Sequence, residues 1–246
     1  MLLESLEKNF NKIIKFDVKM CGRFARYDDE KDLVERFNFS NPSGILFEKR
    51  FNIAPTQTVP VILLENDNRV IKLMRWGLVP FWAKDPTIGN RLINARAETI
   101  TEKASFKTPL KKNRCLVPAS GFYEWKKDER IKTKIPIYFR LKNEQPFAFA
   151  GIWDDWKKPE GDRLLTFTII TTMANELMKP IHDRMPVILH SNDESKWLDP
   201  ELIDLDSLVT LLIPYPSDLM KAYEVSTIVN SPKNDSLHCI SQLNPK

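Results

Sequence analysis

The sequence predicts an α+β fold: a single domain with a curved, mostly antiparallel β-sheet, barrel-like at its core, and peripheral helices. Three observations carry this. Short segments rich in β-branched and aromatic residues recur along the chain between Asn, Asp, Lys, Pro and Gly turns. The stretches joining them are often too short for the crossover helix that parallel neighbours require. Nor do strands alternate regularly with long helices, as they would in a doubly wound sheet.

The elements follow in chain order. Leu2, Leu3, Leu6, Phe10, Ile13 and Ile14 lie near a helical period with Lys and Glu between them, so the first residues predict a short amphipathic helix. That stretch lacks the unbroken apolar core of a secretory signal and, carrying acidic residues and no Arg, does not read as a transit peptide. At Met20-Cys21 the pattern changes. The chain therefore divides into an extension over 1–20, expected to be removed or never translated, a domain over 21–232, and a tail over 233–246 whose Ser, Asn and Pro predict a loose end. A helix is expected from Asp28 to Phe39, with acidic residues in its first turn and Leu33, Val34 and Phe37 on one side. Strands are expected at Val59–Leu64, Val70–Arg75, Cys115–Pro118, Phe122–Trp125, Ile135–Leu141, Phe147–Trp153, Leu164–Thr171, Pro186–His190 and Tyr223–Val229. Short helices are expected near Ala174–Met178, Asp193–Trp197 and Leu205–Ile213.

Composition narrows the function classes. With 42% hydrophobic and 28% charged residues the chain is globular, and no apolar run approaches the ~20 residues of a membrane span. A net charge of +4 permits an anionic partner without identifying one. Three cysteines, with no CxxC, argue against a disulfide framework and against a zinc ribbon. No metal or cofactor is expected, and the chain reads as a soluble cytoplasmic monomer.

Polar residues embedded in apolar segments are where chemistry is expected, because a buried polar group is costly unless bonded. Four such segments stand out: MCGRF at 20–24, LINARAET at 92–99, SGFYEW at 120–125 and PIHDRMPVIL at 180–189. Each residue alone has a structural alternative. Asn94 could tie down a loop, Glu124 could be the outward position of an alternating strand, and His182 could be a satisfied core histidine. No GxSxG, HExxH, P-loop or GxGxxG is present.

Together with FNIAPTQ at 51–57, RWGLVPFWAK at 75–84, CLVPASGFYEW at 115–125 and AGIWD at 150–154, these segments resemble, in order and spacing, the SRAP family, the SOS-response-associated peptidases or abasic-site-processing proteins. The resemblance spans roughly residues 20–230. It implies a single curved β-rich domain that binds single-stranded DNA and bonds to an abasic site through a cysteine at the mature N-terminus. By motif match Cys21 takes that cysteine's place, Asn94 and Arg96 lie in the NAR segment, Glu124 is the active-site glutamate and His182 the active-site histidine. One departure is visible: where many relatives carry an SFR-like segment, this chain reads Ser105-Phe106-Lys107, which would offer a point charge in place of a bidentate fork.

The chemistry can be argued from the residues. A ring-opened abasic site exposes an aldehyde. An α-amino group of pKa about 7.7–8.0 is roughly a tenth neutral at pH 7, whereas a lysine near 10.4 is almost wholly protonated. A terminal cysteine adds a thiol two carbons away, so the imine formed first can close into a five-membered thiazolidine, helped by an effective molarity of about 10⁵–10⁸ M. Glu124, between Tyr123 and Trp125, is expected to be partly desolvated and to serve as the acid/base group. His182 is expected to move protons at the sugar or the 3′ side, where β-elimination would cut the strand. Asn94 would orient the terminal amine. Arg96 and Arg184 would hold phosphates or else make structural ion pairs. Trp82, in a Pro-flanked loop beside Lys84, is the candidate wedge at the base stack; Trp76 is balanced between stacking and the core. Asn52 and Pro55 read as loop-shaping, Cys115 as core and Cys239 as incidental.

Two other functions compete: a cysteine peptidase that removes its own leader between Met20 and Cys21, and a non-catalytic reader of single-stranded DNA.

Overall fold

A computed structural model describes residues 21–127, 134–158 and 161–243. The helix expected within the first twenty residues lies outside them. Among the described residues twelve strands form two sheets. The five-stranded sheet runs β12 (Met220–Glu224), β8 (Lys134–Leu141), β7 (Gly121–Lys127), β1 (Phe24–Arg26), β2 (Arg50–Ile53), with all neighbours antiparallel. The seven-stranded sheet runs β11 (Arg184–Pro186), β10 (Arg163–Met173), β4 (Asn68–Trp76), β3 (Thr58–Glu65), β6 (Arg114–Ala119), β9 (Phe147–Lys157), with β5 (Asn94–Arg96) beside β10. Because β9 pairs with β6 through its first half and with β10 through its second, the pairings β10–β4–β3–β6–β9–β10 close a ring. The expected barrel-like, mostly antiparallel core is present; the parallel exceptions are β10 with β4 and with β5.

Strand alternation sorts side chains into three cores. Between the sheets pack Phe24, Phe122 and Phe139 from one and Trp76, Phe149, Phe167 and Ile169 from the other. On the far side of the seven-stranded sheet lie the helices. Here α1 (Glu30–Phe37) buries Leu33 and Phe37, α2 (Ala104–Lys112) buries Phe106 and Leu110, α3 (Glu194–Leu198) buries Trp197, and α4 (Leu205–Val209) buries Leu208. The outer face of the five-stranded sheet carries Tyr123 and Tyr138, covered by Val225, Val229, Cys239 and Ile240.

The structure moves several expected boundaries. Residues 174–178 form no helix: after Asn175 accepts from the backbone N–H groups of Met178 and Lys179, Pro180 follows and the chain turns back. The strand expected at Pro186–His190 is registered earlier, with Arg184 opposite Met173, and leaves only a bridge from Ile188 to Phe149. The strand expected at Tyr223–Val229 ends at Glu224, because Ser226 caps a 3₁₀ turn over Thr227–Asn230. Residues 233–243 are not loose. Asp235 pairs with Arg50 and accepts the Asn52 N–H at 3.0 Å, Cys239 is fully buried, and Gln242 bridges to Val225. Among the described residues no helix is long and apolar enough to cross a membrane.

Candidate active site

Cys21 precedes β1 at the edge of the inter-sheet core, and both sheets send polar side chains to it. From the five-stranded sheet comes Glu124. On β7 it faces the same side as Phe122, inward, and it is 3% exposed, so the outward-facing alternative is excluded. Gly121 lets β7 sit this close to β8: a Cβ there would lie 2.2 Å from the Tyr138 hydroxyl and 2.6 Å from the Phe139 carbonyl oxygen. From the seven-stranded sheet, the end of β10 is flanked by β5 on one side and β11 on the other, with Thr171 opposite both Arg96 and Pro186. That arrangement delivers Asn94, His182 and Arg184.

Asn94 is buried. Its Nδ2 donates to the Cys21 carbonyl oxygen at 3.0 Å, and its Oδ1 has no partner. The Cys21 thiol lies 3.9 Å from the Arg184 carbonyl oxygen and also interacts with the Glu124 carboxylate. Burial pushes the thiol well above its ordinary range, and the Glu124 charge pushes it further; the more distant Arg184 charge opposes this weakly. Burial likewise raises Glu124, against the lowering effects of His182 and of the Cys21 hydrogen bond, and Glu124 Oε1 has no hydrogen-bond partner. A neutral thiol beside a proton-hungry carboxylate is the electrostatic character of the site.

His182 Nδ1 lies 3.0 Å from the Arg184 backbone N–H and 3.1 Å from Asp183 Oδ1. One nitrogen cannot serve both at once. The neutral ring accepts from Arg184 and carries its proton on Nε2, whereas the imidazolium turns Nδ1–H to Asp183. Arg184 is committed elsewhere: Nη1 pairs with Glu98 Oε1 at 2.7 Å and Nη2 donates to the Thr171 carbonyl at 2.7 Å, the side chain being 9% exposed. Its expected role as a phosphate clamp gives way to the ion pair. Trp76 is a second correction. It is 1% exposed, stacks near Phe167 and donates Nε1–H to the Ile93 carbonyl at 2.8 Å, so it has no face to offer a base.

The remaining candidates are at the surface. Arg96 is exposed, on the same side of β5 as Asn94. Trp82 is 50% exposed in the excursion between β4 and β5. Lys107 is exposed on α2 in the helix layer, and no hydrogen bond or ion pair links it to the Cys21 group. Asn52, expected to shape its own loop, lies in strand β2 and instead ties down the segment after β12, donating to the carbonyls of Val229, Ser231 and Asn234.

Two residues were not singled out by sequence. Arg23, two places after Cys21, lines the same recess as Cys21, Phe24, Trp76, Phe122 and Pro186, and is pinned by Asn52 Oδ1 and the Val229 carbonyl, each at 2.7 Å. Glu98 neutralises Arg184. Both sit inside quoted motifs, two residues from a named candidate, Arg23 just before β1 and Glu98 in the 3₁₀ turn that follows β5. Among the described residues no three His, Cys, Asp or Glu side chains converge to hold a metal ion.

Known proteins share this arrangement of sequence and fold. The family model described as SOS response associated peptidase (SRAP) matches residues 20–232. The abasic site processing protein YoqW of Bacillus subtilis is 50% identical over 219 residues, 88% of this chain and 97% of its own. The abasic site processing protein YoaM of the same organism is 48% identical over 227 residues, covering 92% and 99%. A crystal structure of a protein from Bacteroides thetaiotaomicron superposes with a TM-score of 0.82 at 31% identity, covering 91% of this chain and all of that one. With one family model running from the residue before Cys21 through β12 and the turn after it, the chain belongs to the SOS response associated peptidase (SRAP) family.

Proposed function

We propose that the protein processes abasic sites in single-stranded DNA by bonding to them covalently through Cys21, once Cys21 is the chain terminus. The observation that carries this reading is the hold on Cys21 itself: Asn94 fixes its carbonyl at 3.0 Å while Glu124 lies against its thiol. The relatives' name, abasic site processing protein, agrees with it.

The α-amine of Cys21 adds to the C1′ aldehyde, and the carbinolamine loses water to give an imine. The thiol then adds to the imine carbon. A C–S bond forms, the C=N pair becomes an N–C single bond, and the thiol proton passes to nitrogen. Glu124 carries that proton: held by burial above the usual carboxylate range, it accepts the proton from the thiol and passes it on to the amine nitrogen. Asn94 keeps the terminal residue from rotating, with Oδ1 free to accept from the amine. His182 moves protons at the sugar, and strand cleavage by β-elimination is its secondary consequence. Arg96 and Trp82 supply charge and stacking surface for the strand.

A general cysteine peptidase is disfavoured by the same electrostatics. Such enzymes lower the thiol pKa with a neighbouring cation, and here burial, and after it the Glu124 carboxylate, raises it. The test is incubation of protein beginning at Cys21 with abasic and with intact single-stranded DNA, followed by a denaturing gel. A heat-resistant adduct with abasic DNA alone, lost in Cys21→Ala, is expected; an undiminished adduct in Cys21→Ala overturns the mechanism.

A further inference from the structure

Between β4 and β5 the chain makes an excursion whose two ends both belong to the site. It leaves at Trp76, which lines the recess beside Cys21, and returns at Asn94, which holds the Cys21 carbonyl. Its base is closed by Trp76 Nε1–H donating to Ile93 O at 2.8 Å and by Leu78 N–H donating to Leu92 O at 3.1 Å. Gly77 makes the closure possible. Its φ of 122° is open to glycine, and a Cβ there would lie 2.6 Å from the Gly89 carbonyl oxygen.

At the tip two large rings stand in solvent, Phe81 at 60% and Trp82 at 50% exposure, followed by the exposed Lys84. Adjacent exposed aromatics are costly to present, and a mobile loop would fold them away. Here the tip is held from the β9–β10 hairpin. Thr166 Oγ1 accepts the Val79 N–H at 2.8 Å, Asp154 Oδ2 accepts the Phe81 N–H at 2.9 Å, and Trp156 Nε1–H donates to the Ala83 carbonyl at 2.7 Å. Asp154 is central among these. It is 5% exposed, and its second oxygen accepts the Asp155 N–H at 2.9 Å, so the carboxylate divides its two oxygens between the hairpin and the tip.

We propose that Asp154 is a positioning residue that sets Phe81 and Trp82 as a rigid two-ring stacking platform for unpaired bases, at the tip of the excursion whose base meets the Cys21 pocket. This deepens the reading of the protein as a binder of single-stranded DNA and rests on it. Stacking on an aromatic side chain accepts any base, because every base presents a π-face. Fixing the rings before the strand arrives removes the ordering cost that a mobile loop would pay on binding.

The experiment measures affinity of the full chain for a fluorescein-labelled single-stranded oligonucleotide without abasic sites, by anisotropy, with thermal unfolding recorded alongside. Trp82→Ala is expected to weaken binding by about 5- to 150-fold, the range for loss of one stacked base. Asp154→Ala is expected to weaken it by at least 5-fold, roughly the lower end of that range. Asp154→Asn falls between it and wild type, since one amide oxygen must serve two N–H groups. Adding Asp154→Ala to the Phe81→Ala/Trp82→Ala double variant is expected to cost nothing further, which a residue acting on overall stability would not satisfy. If Asp154→Ala does not fold, Asp154→Asn carries the same cycle. Wild-type affinity in the Asp154 variants, or a further loss on the double-variant background, overturns the proposal. Wild-type affinity in Trp82→Ala overturns the platform, while adduct formation through Cys21 is judged separately on the denaturing gel.

Discussion

The thiol of Cys21 and the carboxylate of Glu124 meet inside the protein across 103 positions of sequence (124 − 21), and burial raises both above their ordinary ranges. At neutral pH the pair therefore holds on to protons that the same groups in water would hold less tightly. This makes the pair a proton reservoir at the attacking residue, and it bears on stability as well as on rate.

Stability should carry the mark of Glu124. A carboxyl whose native pKa lies above its unfolded value of about 4.3 binds its proton more tightly when folded. Its contribution is complete below the unfolded value and is lost as pH rises through the raised native value. Glu124→Gln should abolish that component and, because the amide has no charge to bury, raise Tm at pH 8, by about 2–4 °C for each 1 kcal/mol of desolvation cost removed. Thermal unfolding of both proteins from pH 4 to pH 8 checks this; parallel curves would show that Glu124 is not held off its usual range.

Rate and affinity should separate. Glu124→Gln is expected to bind single-stranded DNA as wild type and to crosslink about 10²–10⁴ times more slowly, the usual worth of acid–base catalysis. Arg96→Ala should weaken binding and reduce the slope of log affinity against log salt by about 0.7, one phosphate contact on a single strand. Titrations at several salt concentrations, with gel time courses, distinguish the two.

Asn94 offers a test of orientation. Asn94→Ala removes the bond to the Cys21 carbonyl and should slow adduct formation roughly 10-fold, the equivalent of about 1.4 kcal/mol and within the range of one buried hydrogen bond. Asn94→Asp should be worse than Ala, because a carboxylate cannot donate to that carbonyl and repels it. Equal rates in all three proteins would leave Asn94 a packing residue.

The form that begins at Met1 should be inert as a nucleophile. In it the Cys21 nitrogen is an amide bonded to Met20 and cannot form an imine. Intact-mass measurement of protein from its source, paired with the denaturing gel, checks this: crosslinking by chains that retain all 246 residues would require a different nucleophile.

Much of this architecture is visible in the chain before any coordinates. The long strands β3, β4, β9 and β10 show themselves because eight to eleven residues are enough for pattern and composition to speak. Strands β1, β2 and β5, of three or four residues, do not, since their only cause is a partner far away in sequence. Helix α2 is hidden by Pro109 in its interior. At the site, motif order brought forward Cys21, Asn94, Glu124 and His182, and the folded chain draws them together. It favoured Trp82 over Trp76 as the stacking ring but left Trp76 between stacking and the core; what decides Trp76 is that it closes the base of the excursion while Trp82 stands at its tip. Arg184 is a similar case, its charge consumed by Glu98 from a neighbouring segment.

Arg23 is pinned by the carbonyl of Val229, 206 residues further along the chain. A ribosome adding about 5–20 residues per second needs roughly 10–40 s to cover that distance. Throughout that interval Cys21, two residues before Arg23, is already made, yet the clasp on Arg23 does not exist. A segment made late thus fixes one made early, and Arg23 stays unanchored until residues far along the chain have left the ribosome.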